Sequence, residues 1–133
     1  MSAVDVALPR LKTEEGFRAQ KYLDSEGHTS IGFGFDVDAG ISEYAASALL
    51  YAQTAELHHA LLEFPWYAAL NEVRQSVCLD IAFNDGLHGL LGFPSLIHYL
   101  SIEDWPNAAA QCHVKNPELA GRYAVLAKLL LDG

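Results

Sequence analysis

The most informative part of this chain is residues 11–35, which read LKTEEGFRAQKYLDSEGHTSIGFGF. Apolar residues recur at helical spacing up to Glu15, and Gly16 is the residue type most common just past a helix end. The rest is rich in aromatic and β-branched residues and is interrupted by a turn sequence, DSEG, at residues 24–27. We therefore predict a short helix ending at Glu15, followed by a small antiparallel sheet with Asp24 in or near its turn.

The pattern after residue 40 is helical. Ser42 can cap a long helix from Glu43 to about Glu63, which could join the sheet to the rest of the chain. Further helices are predicted over residues 71–84, 94–100, 102–113 and 118–131, with a glycine-rich connection over residues 86–92. The prediction is one α+β domain of 133 residues. It has a first helix over residues 4–15, a small antiparallel β lobe over about 16–40 and a helical lobe over 41–133.

Composition excludes several classes of protein. Hydrophobic residues make up 51% of the chain and charged residues 19%, which is globular rather than disordered composition. The net charge of −9, from 8 Lys and Arg against 17 Asp and Glu, argues against nucleic-acid binding. No apolar run reaches the length of a membrane span, and the first residues lack the pattern of a signal peptide.

The metal-ligating residue types form no recognisable site. Cys78 and Cys112 are too few for a disulfide framework, so we expect two buried free thiols. The six histidines lack the ligand spacing of zinc sites and are interpreted as solvated. No metal is predicted.

Two acidic positions are candidates for catalysis. Glu14 and Glu15 end the first helix, where the negative end of the helix dipole disfavours carboxylates, and such local conflicts are expected at functional sites. Asp24 follows across a chain reversal that could bring it toward the helix end, and glycoside hydrolysis needs a pair of carboxyl groups. Ser30, expected opposite Asp24 in the hairpin, could help to hold a water molecule. The alternatives are a solvated acidic pair, an ordinary turn aspartate and a strand serine without a role.

The motifs Glu-Gly at residues 15–16, Tyr-x-Asp-x-x-Gly at 22–27 and hydroxyl-Ile-Gly-x-Gly at 30–34 occur together in this order. In combination they resemble the phage-type lysozymes of glycoside hydrolase family 24. Weaker similarity continues through residues 81–86 and 92–96 to the C-terminal helices. The resemblance implies a lysozyme-like fold without metal or organic cofactor. It also implies cleavage of the β-1,4 bond between N-acetylmuramic acid and N-acetylglucosamine in peptidoglycan.

The resemblance also implies roles for individual residues. Glu15 matches the general acid and Asp24 the second carboxylate, which directs a water molecule. Ser30 matches a family threonine that also holds this water. The expected mechanism is inverting, and it requires a partly buried Glu15 so that its carboxyl group stays protonated.

Four further residues are expected to support catalysis: Asn84, Phe33, Glu14 and Arg122. Asn84 matches a polar residue that could bind a sugar amide, and Phe33 is a second substrate-binding candidate. Arg122 matches a buried arginine that would pair with Glu14 and position the first helix. Leu119 departs from the family, since some members have an arginine there.

Two other functions stay open at this stage. A lytic transglycosylase needs one glutamate and no water-directing aspartate. A non-catalytic wall-binding or virion structural module is compatible with the negative charge and with the short segment between Gly34 and Ser42. For the enzyme we expect a monomer that acts on peptidoglycan glycan strands. It would stay in the host cytoplasm until a holin-type partner gives it access to the wall.

Overall fold

The chain has a mixed α+β fold, which confirms the predicted fold class. The structure is a computed structural model, and it describes residues 1–113 and 120–133. The described helices are α1 (Ala3–Glu15), α2 (Glu43–Leu61), α3 (Pro65–Ala68), α4 (Glu72–Leu91), α5 (Pro94–Ser101), α6 (Trp105–Ala110) and α7 (Ala120–Asp132). The described strands are β1 (Arg18–Leu23), β2 (Thr29–Gly32) and β3 (Phe35–Asp36).

The three strands form one antiparallel sheet in the order β1-β2-β3. In the central strand, Ser30 lies opposite Tyr22 on one side and opposite Asp36 on the other. The β1–β2 turn therefore begins at Asp24, as the sequence predicted. The expectation that Ser30 faces Asp24 is wrong, because Asp24 belongs to the turn and its backbone N–H donates to His28 O at 2.9 Å.

Contact analysis divides the chain into two compact units, Met1–Ser47 and Ala48–Gly133, with the boundary inside α2. Among the described residues of the first unit, only Ser30 is buried. The second unit contains the hydrophobic core, whose fully buried large side chains are Leu61, Tyr67, Val77, Cys78, Ile81, Leu90, Leu100 and Leu130. The expected single domain, with lobes over residues 16–40 and 41–133, stays a prediction.

The helices of the second unit differ from the sequence prediction in three places. The short helix α3 was not predicted. Helical geometry in α4 breaks at Gly86, with φ 78° and ψ 165°, where the sequence predicted the helix to stop, but a second helical segment then runs to Leu91 where a connection was expected. Helix α6 begins at Trp105 rather than at residue 102, because Asp104 caps it by accepting from Asn107 N at 3.2 Å. Leu119 and the predicted start of the last helix at residue 118 lie outside the described residues.

Both cysteines are free, as predicted. Cys78 is buried in the core and Cys112 is half-buried beside it. Burial raises the pKa of the Cys78 thiol to about 12 and that of Cys112 to about 11. Both thiols are therefore protonated at neutral pH, and a protonated thiol is a poor nucleophile.

Candidate active site

Glu15 is the last residue of α1. Ser2 begins the helix by accepting from Asp5 N at 3.2 Å, while the Asp5 carboxylate accepts from Ser2 N at 2.8 Å, which completes a capping box. The helix ends because Gly16 adopts a positive φ of 69° and its N–H donates to Lys12 O at 3.0 Å. The Glu15 carboxyl group thus projects from a terminated helix toward the segment that follows.

The Glu15 carboxyl group lies against Gly34, between β2 and β3. A Cβ atom built on Gly34 would lie 2.8 Å from Glu15 Oε2, closer than two such atoms can approach. Gly34 also has a positive φ of 74°, which side chains other than glycine rarely adopt. Glycine at this position therefore gives the helix-end carboxylate its place beside the sheet.

Glu15 itself is exposed. The expectation that it would be partly buried is wrong for the protein without substrate. A partly desolvated carboxyl group is easier to keep protonated, because burial disfavours the charged form.

Asp24 organises the β1–β2 turn with one of its two carboxylate oxygens. Oδ1 accepts from the backbone N–H groups of Glu26 and His28, both at 2.9 Å. Gly27, with φ 85°, closes the turn by donating its N–H to Asp24 O at 3.1 Å. The His28 N–H bond is the largest influence that lowers the pKa of Asp24 below its ordinary value, and the Glu26 N–H and the His28 ring act in the same direction. Asp24 is therefore ionised at neutral pH.

The second oxygen of Asp24 is not tied to the backbone of the turn. Its nearest charged neighbour is the ring of His28, with Nδ1 at 3.7 Å from Oδ2. His28 was predicted to be an ordinary solvated histidine, and its side chain is half exposed. Its position four residues after Asp24, across a turn, was the available indication that the two side chains meet.

Ser30 is the buried member of the group, with 3% of its surface exposed. It lies in the middle of the central strand, between the Asp24 turn and the Gly34 turn. The first unit therefore contains all three of the residues predicted to be catalytic, with Glu15 in contact with the sheet that carries Asp24 and Ser30.

Phe33 has a packing role that is visible in the structure. Its ring lies 5.5 Å from the ring of Phe17, centroid to centroid, and the ammonium group of Lys12 lies 5.9 Å from its centre. The ring therefore holds the end of α1 to the sheet. Its predicted contact with substrate stays a prediction.

Glu14 and Arg122, which were expected to form an ion pair with each other, have other partners in the structure. Glu14 Oε1 lies 3.8 Å from Arg10 Nε, and both side chains are exposed. Arg122 Nε donates to Asp80 Oδ1 at 2.7 Å, which links α7 to α4 within the second unit. The pairing of Arg122 with Glu14 and its effect on the first helix therefore stay a prediction.

Asn84 is exposed on α4, also in the second unit. Its side-chain Nδ2 donates to Asp80 O at 2.9 Å and approaches Asp80 Oδ1 at 3.4 Å. Asp80 was not singled out by sequence, because a single acidic residue on a helix is most often solvated. Its carboxylate contacts both Arg122 and Asn84.

In residues 1–113 and 120–133, no group of three His, Cys, Asp or Glu side chains is placed to hold a metal ion. Over the same residues, no helix combines the length and apolar character needed to cross a bilayer.

The first unit carries two carboxyl groups on separate elements, Glu15 at a helix end and Asp24 in a sheet turn, and glycoside hydrolysis needs a pair of carboxyl groups. The phage lysozyme family model matches this chain over residues 12–128, and the chain therefore belongs to the phage lysozyme family. Membership assigns it to the degradation of peptidoglycan in general. A search of curated protein sequences gives no match.

Proposed function

We propose that the protein hydrolyses the β-1,4 bond between N-acetylmuramic acid and N-acetylglucosamine in peptidoglycan, with Glu15 as general acid and Asp24 as the carboxylate that directs water. The observation that carries the proposal is the contact between the Glu15 carboxyl group and Gly34 of the sheet. In support, the Glu15 carboxyl group contacts the β2–β3 turn of the sheet whose β1–β2 turn holds the ionised Asp24.

The two carboxyl groups have environments suited to different tasks. Backbone N–H groups lower the pKa of Asp24, so it is ionised and can act as a base. Glu15 lacks such donors among its described contacts and is exposed, so a glycan bound over it would remove water and favour its protonated form. This difference between two carboxyl groups is the pattern by which acid and base are assigned in glycosidases.

In the proposed reaction, Glu15 donates its proton to the glycosidic oxygen as the bond from that oxygen to the sugar C1 breaks. A water molecule held by Asp24 Oδ2 and the Ser30 hydroxyl attacks C1 from the opposite face and gives a proton to Asp24. The product sugar has inverted configuration at C1. Inverting enzymes hold their two carboxyl groups roughly 6.5–9.5 Å apart, which leaves room for the water.

The test is digestion of purified peptidoglycan by the wild type, Glu15→Gln, Asp24→Asn and Glu26→Gln, with mass analysis of the soluble products. Glu26 lies in the same turn as Asp24, and its exposed carboxylate is given no catalytic role, so Glu26→Gln is the matched control. We expect Glu15→Gln and Asp24→Asn each to reduce the release of new reducing ends by about 10²–10⁴-fold. Glu26→Gln should keep wild-type activity.

The same digestion separates the alternatives. Products with 1,6-anhydro ends would indicate a lytic transglycosylase. Binding of peptidoglycan without any soluble product would indicate a wall-binding or virion structural module. Full activity of Glu15→Gln would show that the general acid lies elsewhere.

The biological setting is also a proposal, supported by family membership. The protein would act as a monomer, stay in the host cytoplasm until lysis, and reach the wall through a holin-type partner. Co-expression with and without a membrane-permeabilising protein tests this, because lysis should occur only with the partner present.

A further inference from the structure

A surface cavity of about 380 Å³ lies between α2 and α4, and all of its lining residues belong to the second unit. Most of the lining side chains carry polar groups, and these are Tyr51, Thr54 and His58 on α2 and Glu72, Gln75 and Ser76 on α4. In both helices the lining positions recur at helical spacing, so one face of each helix forms a wall of the cavity.

His58 is held in place by a buried hydroxyl group. Tyr67, on α3, is fully buried, and its hydroxyl oxygen lies 2.7 Å from His58 Nδ1. Burial raises the pKa of Tyr67 to about 12, so the hydroxyl keeps its proton at neutral pH. Among the described residues, Nδ1 is the acceptor that pairs with this hydroxyl, and a neutral His58 therefore carries its own hydrogen on Nε2. His58 was predicted to be solvated, but it is half-buried and can offer a ligand an N–H donor.

Three other lining side chains already donate hydrogens within the protein. Thr54 Oγ1 and Ser76 Oγ each donate to a carbonyl oxygen of their own helix, at 2.8 Å and 2.6 Å. Gln75 Nε2 donates to Tyr67 O at 3.1 Å, which fixes the orientation of the amide. The two hydroxyl oxygens and Gln75 Oε1 therefore remain as acceptors for a ligand.

The cavity also carries a negative charge. Glu72 is exposed, and among the described residues no Lys, Arg or His side chain forms an ion pair with its carboxylate. Tyr51 is 78% exposed, so its ring is open to a cation. The lining thus combines a carboxylate, several acceptor oxygens and an aromatic ring with the N–H donor of His58. A positively charged ligand rich in N–H groups satisfies this set better than an anion does.

We propose that this cavity binds the side-chain ammonium group of a lysine-type diamino-acid residue, whose N–H groups donate to Glu72 and to the neighbouring acceptor oxygens. The acyl oxygen of the same residue accepts from His58 Nε2. The diamino acid of a peptidoglycan stem peptide has this chemistry while its side chain is not cross-linked, and peptidoglycan is the material that the family degrades. The inference is independent of the proposed cleavage, because none of the lining residues has a role in that reaction.

The test is an NMR titration of the full chain at about pH 8, where an ordinary imidazole is neutral and a primary amine is protonated. The probes are Nα-acetyl-lysinamide, its norleucine analogue without the ammonium group, pentylamine without the acyl oxygen, and the stem tripeptide L-Ala-γ-D-Glu-L-Lys. The proteins are the wild type, Glu72→Gln, Tyr67→Phe and Glu56→Gln. Glu56→Gln is the matched control, because Glu56 is an exposed carboxylate on α2 that does not line this cavity.

We expect Nα-acetyl-lysinamide and the tripeptide to bind saturably, with shifts at the lining residues, whereas the norleucine analogue should not. Glu72→Gln should weaken binding of the lysinamide by about 2- to 5-fold, which is the value of an exposed ion pair. Glu56→Gln should bind it as the wild type does. Tyr67→Phe should weaken binding of the lysinamide but not of pentylamine, because the loss of the hydroxyl releases His58 Nδ1 and only the lysinamide uses Nε2.

Several results would overturn the proposal. Equal binding of the norleucine analogue would show that the ammonium group is not recognised, and equal losses in Glu72→Gln and Glu56→Gln would indicate a general effect of charge. Equal binding of pentylamine would indicate a site for alkyl amines in general, and no binding of the tripeptide would exclude the stem peptide. Thermal unfolding of each variant separates loss of fold from loss of binding. If the wild type binds these probes as expected but releases no reducing ends from peptidoglycan, the proposed hydrolysis fails while this inference stands.

Discussion

The two oxygens of Asp24 have different tasks. Oδ1 is committed to the turn through two backbone N–H groups, whereas Oδ2 has only the His28 ring as a charged neighbour. These two hydrogen bonds fix the orientation of the carboxylate, so the side chain does not need to be buried to stay in place. This suits the proposed role of Asp24, which is to direct a water molecule from an exposed turn.

The lowered pKa of Asp24 predicts how the stability of the protein depends on pH. The folded-state pKa lies below the ordinary value of 3.8, so the unfolded chain takes up the proton more readily. The contribution of Asp24 is therefore fully present above the ordinary pKa and is lost as the pH falls through the folded-state pKa. Asp24→Asn removes this titration and keeps an amide oxygen for the turn. Thermal melts over about pH 6 to pH 2 should show a steeper loss of stability in the wild type than in Asp24→Asn. Parallel curves would contradict the assignment.

Gly34 provides a second prediction at the level of one residue. In Gly34→Ala the new Cβ would displace the Glu15 carboxyl group, and the positive φ would add strain. Gly40→Ala is the matched control, because Gly40 has φ 78° and nothing within 4 Å of an added Cβ. Both variants should lose about 1–2 kcal/mol of stability, since both place alanine in the left-handed region.

Only Gly34→Ala should lose activity beyond that shared effect, because a catalytic group misplaced by about 1 Å costs up to about 100-fold in rate. The measurement is release of reducing ends from peptidoglycan at a temperature where both variants are folded. Equal activities of the two variants would mean that the contact between Glu15 and Gly34 does not position the acid.

Sequence could identify some of these contacts and not others. The helix end at Glu15 and the turn at Asp24 were predicted because glycine and DSEG-type sequences act locally. The position of Ser30 opposite Tyr22 was missed, because register depends on how many residues the turn uses, and a shift of a single residue changes every pair. The bond between Arg122 and Asp80 was also missed, since it joins residues distant in sequence whose proximity depends on how α4 and α7 pack.

At the level of elements, α4 shows that a glycine-rich stretch can mark the end of one helical segment without being a connection over its whole length. The chain from residue 86 to residue 92 was predicted as a connection because glycine disfavours helices. The structure contains one break, at Gly86, after which helical geometry resumes to Leu91. The buried Leu90 follows the break, so burial in the core compensates for the low helix propensity of its neighbours.

The break predicts opposite effects for the same substitution at two glycines of the second unit. Gly86→Ala should destabilise the protein by about 1–3 kcal/mol, because φ 78° with ψ 165° is a conformation reserved for glycine. Gly121→Ala, in α7, should stabilise it by up to about 1 kcal/mol, since alanine favours helices and an added Cβ there has nothing within 4 Å. Urea unfolding measures both changes. Loss of stability in Gly121→Ala, or none in Gly86→Ala, would contradict this description of the two helices.

Across the whole molecule, the candidate catalytic residues and the hydrophobic core belong to different units. Glu15, Asp24 and Ser30 lie in the first unit, where Ser30 is the one buried residue among those described. The fold class followed from sequence because helical and alternating patterns occupy separate stretches of the chain. The exposure of Glu15 did not follow, because a sequence pattern does not specify how much of a helix end the rest of the molecule covers.

The net charge of −9 leads to the last prediction, which depends on the proposed function. Bacterial walls that carry anionic polymers should repel this protein, and salt screens such repulsion over a distance of about 10 Å at 0.1 M. The rate of digestion of intact walls at low enzyme concentration should therefore rise as salt is added from a low starting level, mainly through a lower KM. Walls stripped of their anionic polymers are the control and should show a much weaker dependence. A rate that falls with the first additions of salt would mean that a local positive surface around the site, rather than the overall charge, controls the encounter with the wall.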